Sequence, residues 1–329
     1  MDDRLDLPFS GLVSFLRAPT CTDLDELDAD IAVLGFPSDE GSGWLPGARL
    51  GPRRLRELSM RFTGGTPQSH RGFWDIDTGR RYLDHELDNR RIVDCGDVDV
   101  IYTRPDKSWD NATGMVRKIL DRGAMPVVLG GDHGISYSIV RAFSERLTVV
   151  HFDAHVDYQP FVHGVVHSHG NPMRMITSLD HVDQILQVGI RSFRTHQEDA
   201  SDSIRDGNSI VSARSLRQRG PTGLADLLPA DGPVYVSIDV DVLDPSIVPG
   251  TSAPEPSGLS YDELRDSLVA IAERACVVGF DLVEVNPMID NAAQLTSFVG
   301  VQLIVEFLAR IVEHPGYRQR HPMQPSKPS

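Results

Sequence analysis

Seven apolar runs rich in β-branched residues punctuate the chain: DIAVLGF, RRIVDCGDV, MPVVLGG, RLTVVHFDAH, QILQVGI, PVYVSIDVD and ACVVGFDLVEV, each bounded by Gly, Pro or Asp. Each reads as a strand. Between several of them lie stretches with helical periodicity, NATGMVRKILDRGA, ISYSIVRAFSER and SYDELRDSLVAIAERA. Alternation of strand and helix predicts a mostly parallel sheet, and near-continuous hydrophobicity inside the strands predicts helices on both of its faces. Ser260, with Glu263 three residues on, is a capping-box pattern and marks one helix start. Asn291 to Val312 predicts a final long amphipathic helix. The Pro-rich residues 314–329 after it lack core residues and are expected to form a mobile tail. No linker interrupts the strand signals between about residues 30 and 285, so the expectation is a single doubly wound α/β domain over 1–329, with its core at about 30–312.

Composition changes this picture little. Of 329 residues, 40% are hydrophobic and 24% charged, which is ordinary for a globular chain with a full-sized core. A formal charge of -15 argues against nucleic acid or an anionic membrane as partner and mildly suits a small cationic substrate. Cys21, Cys95 and Cys276 are few, odd in number and far apart, which fits buried thiols in a reducing compartment. No apolar run approaches the roughly 20 residues that span a bilayer, and MDDRLDLPFS is acidic where an export signal is basic. A cytoplasmic location is expected.

The candidate chemistry gathers at strand ends. Asp153, His155 and Asp157 alternate in HFDAHVD, Asp239 and Asp241 alternate in SIDVDVLD, and His133 follows two glycines in MPVVLGGDHG. Side chains two apart on a strand share a face, and in open parallel sheets ligands bind beyond the carboxyl ends of the strands. All three sets are therefore expected to converge. A lone strand-end Asp is more often a helix cap, and a lone His is often just hydrogen-bonded, but three such sets together are hard to explain as caps. Asp132 and Asp244 read as structural. Four aspartates and two histidines brought together need positive charge among them, which two divalent cations would supply. A carboxylate-rich set without thiolate suits Mn²⁺ or Mg²⁺ better than a structural zinc, so two Mn²⁺ per chain are expected. Held about 3.5–4 Å apart, they would share and activate one water.

At these residues the sequence resembles the ureohydrolase (arginase/agmatinase) family, whose signature segments appear as Gly130-Gly131-Asp132-His133, Asp153-Ala154-His155-Val156-Asp157 and Asp239-Val240-Asp241-Val242-Leu243-Asp244-Pro245. The likeness continues through PGARLGPRRLR, VDCGDV, QVGIRS and EVNP and covers roughly residues 30 to 312. It implies a three-layer αβα fold, a trimeric or hexameric homo-oligomer, and hydrolysis of a guanidino compound to urea and an amine by a dimanganese-bridging hydroxide. By the same resemblance His133, Asp153, Asp157 and Asp239 bind one manganese. Asp153, His155, Asp239 and Asp241 bind the other, with Asp153 and Asp239 bridging. Glu284, in EVNP, matches the residue that holds the guanidinium, a role a carboxylate can fill bidentately. His169, in HSHGNP, matches the histidine that passes a proton to the leaving amine, with His163 and His167 close by on the same loop.

The remaining readings concern neighbours and substrate. Cys95, inside an apolar run without a local His partner, reads as a buried structural thiol. Trp44, in GSGWLPGARLGP, either borders the site mouth or anchors a packed loop. Asp157-Tyr158-Gln159-Pro160 departs from the arginase-like pattern, which has a short polar residue, typically Asn, shortly after that aspartate, and Pro254-Glu255 looks closer to agmatinases and guanidino-acid hydrolases. Agmatine, giving putrescine and urea, is therefore the leading expectation. Guanidinobutyrate, guanidinopropionate or another guanidino acid follows, then arginine. From other classes stand a single-zinc deacetylase-like enzyme and a non-catalytic homologue.

Overall fold

The computed structural model describes residues 7, 10–62, 72–161 and 163–323. Its strands are β1 Ile31–Phe36, β2 Phe73–Asp75, β3 Arg80–Tyr82, β4 Ile92–Asp97, β5 Met125–Gly130, β6 Leu147–Phe152, β7 Val182–Ile190, β8 Ser209–Ser212, β9 Pro233–Asp239 and β10 Cys276–Val283. Eight of them form one sheet in the order β4-β1-β5-β10-β9-β6-β7-β8, and every pairing in it is parallel. The short β2 and β3 form a separate antiparallel hairpin.

The helices are α1 Gly51–Ser59, α2 Asp84–Asp88, α3 Pro105–Asp121, α4 Ile135–Val140, α5 Pro172–Thr177, α6 Gln197–Arg205, α7 Ala213–Ala225, α8 Tyr261–Arg274, α9 Leu295–Ile311 and α10 Pro315–Arg320. Two helical layers sandwich the sheet. On one face α7 packs on α8, α8 on α9 and α9 on α1, while on the other α3 packs on α4 and α4 on α5. Alternation along the strands serves both layers: Ile31 and Val33 of β1 join the core under α1, α8 and α9, whereas Ala32, Leu34 and Phe36 join the core under α3, α4 and α5. The expected three-layer αβα architecture is thus present. Ser260 caps α8 as its sequence pattern predicts, with reciprocal bonds between Ser260 and Glu263.

Two expectations need correction. The last long helix begins at Leu295 rather than Asn291, because Asp290 and Asn291 side chains accept backbone N–H groups of Ala293, Leu295, Thr296 and Ser297 and hold a turn before it. The segment expected to be a mobile tail is ordered through α10. Tyr317 is buried, and Arg318 pairs with the buried Glu86 at 2.7 Å. Composition alone hid this, since one aromatic ring and two ion pairs, Arg318 with Glu86 and Arg320 with Glu145, fix a segment that is otherwise Pro- and Arg-rich. Residues 324–329 lie outside the described set.

Candidate metal centre and substrate pocket

The four neighbouring strands at the middle of the sheet, β5, β10, β9 and β6, carry His133, Glu284, the Asp239/Asp241 pair and the Asp153/His155/Asp157 trio just beyond or at their carboxyl ends. The structure brings all seven of these residues together at one edge of the sheet. The route differs from simple strand alternation. Strand β6 stops at Phe152, so the trio belongs to the following loop, where Asp157 adopts a left-handed φ of 47°. Asp239 ends β9, and its carboxylate accepts the Asp241 N–H at 2.8 Å, capping the short 3-10 turn Val240–Val242 that swings Asp241 toward β6. Gly131 is needed for close approach: a Cβ there would lie 1.7 Å from the Ser38 carbonyl oxygen.

Two nitrogens organise the cluster. His133 Nδ1 lies 2.9 Å from Asp153 Oδ2, 3.2 Å from Asp157 Oδ2 and 3.2 Å from Asp239 Oδ2. His155 Nδ1 lies 3.2 Å from Asp153 Oδ1 and 3.1 Å from Asp241 Oδ2. Asp153 thus faces both groups, one oxygen toward each. Among the described residues, two sets of side chains are close enough to hold a metal ion: His133, His151, Asp153 and Asp157, and Asp153, His155 and Asp241.

Hydrogen bonds outside the cluster fix its ring tautomers. Tyr235 donates to Asp281 at 2.7 Å, Ser237 donates to Asp281 at 2.7 Å, and His133 Nε2 lies 2.8 Å from the Ser237 hydroxyl. With the Ser237 proton committed to Asp281, His133 donates from Nε2 and turns Nδ1 to the carboxylates. His151, which sequence reasoning passed over, is held differently. Ser203 donates to Gln187 Oε1 at 2.6 Å, which turns the Gln187 amide nitrogen toward His151 Nδ1 at 3.2 Å. The remaining nitrogen, Nε2, then donates to Asp153 Oδ2 at 2.8 Å. His151 therefore clamps Asp153 instead of offering a lone pair.

The electrostatics match a site built around positive charge. Burial, together with the charge of Asp153 and, for Asp239, of Asp241, pushes the carboxyls of Asp157, Asp239 and Asp241 above the usual range. Burial would do the same to Asp153, but His151, His133 and His155 outweigh it and hold that carboxyl well below its ordinary value. Burial disfavours charge on His133 and His155 too. Their aspartate partners prevail, raising His133 well above its usual value and His155 to about 12.

Beside the cluster opens a cavity of about 320 Å³, lined by His155, Asp157, His169, Asp239, Asp241 and Glu284 on its inner side. Glu284 sits at a left-handed φ of 62°. Its Oε1 accepts the His133 backbone N–H at 3.0 Å and faces His169 Nδ1 at 3.2 Å. Its Oε2 is buried without a hydrogen-bond partner. Of the three loop histidines only His169 lines this cavity: His163 is exposed, and His167 packs edge-on against Trp109, ring centroids 4.3 Å apart. Asp132 is buried behind the wall, accepts the Gly41 N–H at 2.8 Å, and has its carboxyl pushed up to about 7 by burial and by Glu284. Asp244 caps its own turn through Ser246 and Gly258. Cys95 is buried, and burial raises its thiol to about 12, as suits a structural thiol. Trp44 is exposed and does not line the cavity, though its loop is tied down where Ser252 and Asn286 donate to the Leu45 carbonyl. Arg194 went unnoticed in the sequence, because a loop arginine acquires meaning only from the cavity it borders.

Comparison with known proteins places this arrangement. A family model described as the Arginase family matches residues 29–309. An agmatinase of Bacillus subtilis (strain 168) is 32% identical over 316 residues, 94% of this chain and 100% of the relative. An agmatinase of Bacillus anthracis is 33% identical over 297 residues, 88% of this chain and 93% of the relative. The solved structure of proclavaminate amidino hydrolase from Streptomyces clavuligerus superposes with a TM-score of 0.80 at 30% identity, covering 93% of this chain and 98% of that one. Given the strand-end cluster, the cavity beside it and these likenesses, the chain belongs to the arginase family and is a hydrolase acting on amidines.

Proposed function

We propose that the chain hydrolyses a guanidino compound to urea and an amine with two Mn²⁺ ions, one held by His133, Asp153, Asp157 and Asp239 and the other by Asp153, His155, Asp239 and Asp241. The donor set fits such ions: hard carboxylates and two imidazole nitrogens, no thiolate, and carboxyls whose burial is unfavourable without added positive charge. The ions would supply a water made nucleophilic at neutral pH.

The observation that carries the guanidino reading is the partnerless Glu284 Oε2, buried in the wall of a cavity that begins at the cluster. A planar cation with two N–H groups in a fork satisfies that oxygen and offsets its charge. The His133 N–H pins the other oxygen, so the carboxylate cannot rotate away. His169, facing the same carboxylate, is pushed up to about 9, because its bond to Glu284 and the nearby Asp157 and Asp132 outweigh burial. It carries a proton at neutral pH and can give it from the ring to the leaving amine nitrogen.

Agmatine and the guanidino acids share this reacting end and differ only in the tail. Relatives at 32% and 30% identity carry the different names agmatinase and proclavaminate amidinohydrolase, so identity at this level does not choose between tails. The test is metal content and urea release from the purified chain reconstituted with manganese. Two manganese per chain, with urea formed from agmatine, guanidinobutyrate, guanidinopropionate or arginine, is the expected result. One zinc per chain, or no urea from any of these, would overturn the reading.

A further inference from the structure

The inner half of the cavity is accounted for by the reacting guanidinium; its outer wall is built from Gln159, Arg194, Thr195, His196 and Asp199. The loop bearing Arg194 is firmly placed. Arg191 and Ser192 both donate backbone N–H groups to the Ala154 carbonyl at 3.0 Å. The Arg191 guanidinium donates to the carbonyls of Asp241 at 2.8 Å, Glu255 at 2.8 Å, Val242 at 3.1 Å and Pro256 at 3.1 Å. Arg194 is therefore fixed relative to the loops that carry His155 and Asp241.

The guanidinium of Arg194 is oriented from behind. Its Nε donates to Glu255 Oε1 at 2.9 Å, and that oxygen is itself held by the Ser192 hydroxyl at 2.6 Å. Arg194 lines the cavity and Glu255 does not. The one further contact of the guanidinium among the described residues is Nη2 to His155 Nε2, at 3.2 Å. When His155 uses Nδ1 to hold a cation, its proton resides on Nε2, which faces Glu255 Oε1 at 3.5 Å. Nε2 then accepts nothing from Arg194. The Nη edge becomes a two-donor fork without an acceptor, on the wall of a substrate cavity.

Resting on the guanidino-hydrolase reading, we propose that Arg194 receives a carboxylate at the far end of the substrate, so that the chain prefers a short guanidino acid, 3-guanidinopropionate or 4-guanidinobutyrate, over agmatine. The tail is short because a single imidazole ring, that of His155, separates Arg194 from the cluster. An ammonium tail in the same place meets a cation of its own sign. The carboxylate in the outer wall, Asp199, already has the positive neighbours His196 and Arg174.

The experiment compares urea release by the manganese-loaded chain from 3-guanidinopropionate, 4-guanidinobutyrate and agmatine, with Arg194→Gln and Arg194→Lys alongside. One of the acids is expected to exceed agmatine at least tenfold in kcat/KM. Arg194→Gln should raise the KM for that acid at least tenfold, well beyond any fall in kcat, and should lower the KM for agmatine, while Arg194→Lys recovers part of the loss. A readout independent of turnover is the shift in Tm caused by the product-like amines: 4-aminobutyrate should stabilise the loaded chain more than putrescine, and Arg194→Gln should abolish the difference. A tenfold preference for agmatine, or an acid KM that ignores Arg194→Gln, overturns the proposal while leaving guanidino hydrolysis intact. Absence of urea from every guanidino compound overturns the reading beneath it instead, and the proposal with it.

Discussion

His133 works through two nitrogens with unlike neighbours, Nδ1 among three carboxylates and Nε2 on the Ser237–Asp281–Tyr235 chain. Ser237→Ala or Asp281→Asn removes the group that fixes its tautomer without touching a proposed ligand. Each should weaken metal binding about 10- to 100-fold, measured by competition with a chelator; a metal affinity equal to wild type would show the chain to be idle. Asp153→Ala should lose both ions, and retention of both by elemental analysis would refute its bridging role. Glu284→Gln should keep the metals but raise KM, whereas metal loss would make Glu284 a ligand itself. The residues that gather in the cluster were legible in the sequence because their chemistry and spacing are unusual together. His151 was not, since a buried histidine that donates to a cluster aspartate has the same sequence signature as one packed in a core. Arg194 was invisible for the corresponding reason on the surface.

At the scale of elements, seven of the eight sheet strands read easily from sequence because burial leaves them largely apolar between Gly, Pro and Asp, whereas the partly exposed edge strand Ser209–Ser212 was missed. The hairpin Phe73–Tyr82 is partly exposed and the helix Ala213–Ala225 is broken at Gly220 and Pro221, so neither has a clean period to detect. Loops carried the largest surprise. Convergence of Asp153, His155 and Asp157 was foreseen by strand alternation, yet the loop after Phe152 produces it. The turn after β5 depends on the contact between Gly131 and the Ser38 carbonyl, which also accepts the Asp132 N–H at 2.8 Å and cannot simply withdraw. Gly131→Ala should therefore destabilise the fold by about 1–3 kcal/mol or more, seen as a lower denaturation midpoint in urea. A midpoint equal to wild type would mean the two strand ends can part freely.

For the molecule as a whole, the cluster concentrates carboxylate charge in a chain already at -15. No helix among the described residues is long and apolar enough to cross a membrane. Removing metal should lower Tm, because bound ions stabilise the folded state alone. The pH dependence follows in sign. Without metal, the raised carboxyls of Asp157, Asp239 and Asp241 and the raised imidazoles of His133 and His155 bind more protons folded than unfolded. Their contribution is complete in acid, below the unfolded values, and is lost as pH rises through the folded ones. Asp153, held low, acts oppositely and only in strong acid. Metal ions replace those protons, so the gap in Tm between loaded and stripped protein should widen from pH 5 to pH 8. A gap that narrows over that range would contradict the arrangement.

The amide of His133 is bound to the carboxylate of Glu284, 151 positions later in the chain, and β5 and β10 lie side by side although β6, β7, β8 and β9 are all made between them. During synthesis, then, this amide and the carboxylate that accepts from it emerge far apart in time, and the turn after β5 lacks that anchor until β10 arrives. If the cluster holds cations as proposed, fragments ending before Cys276 lack the strand that joins β5 to β9 and should bind none tightly, however well their early strands collapse.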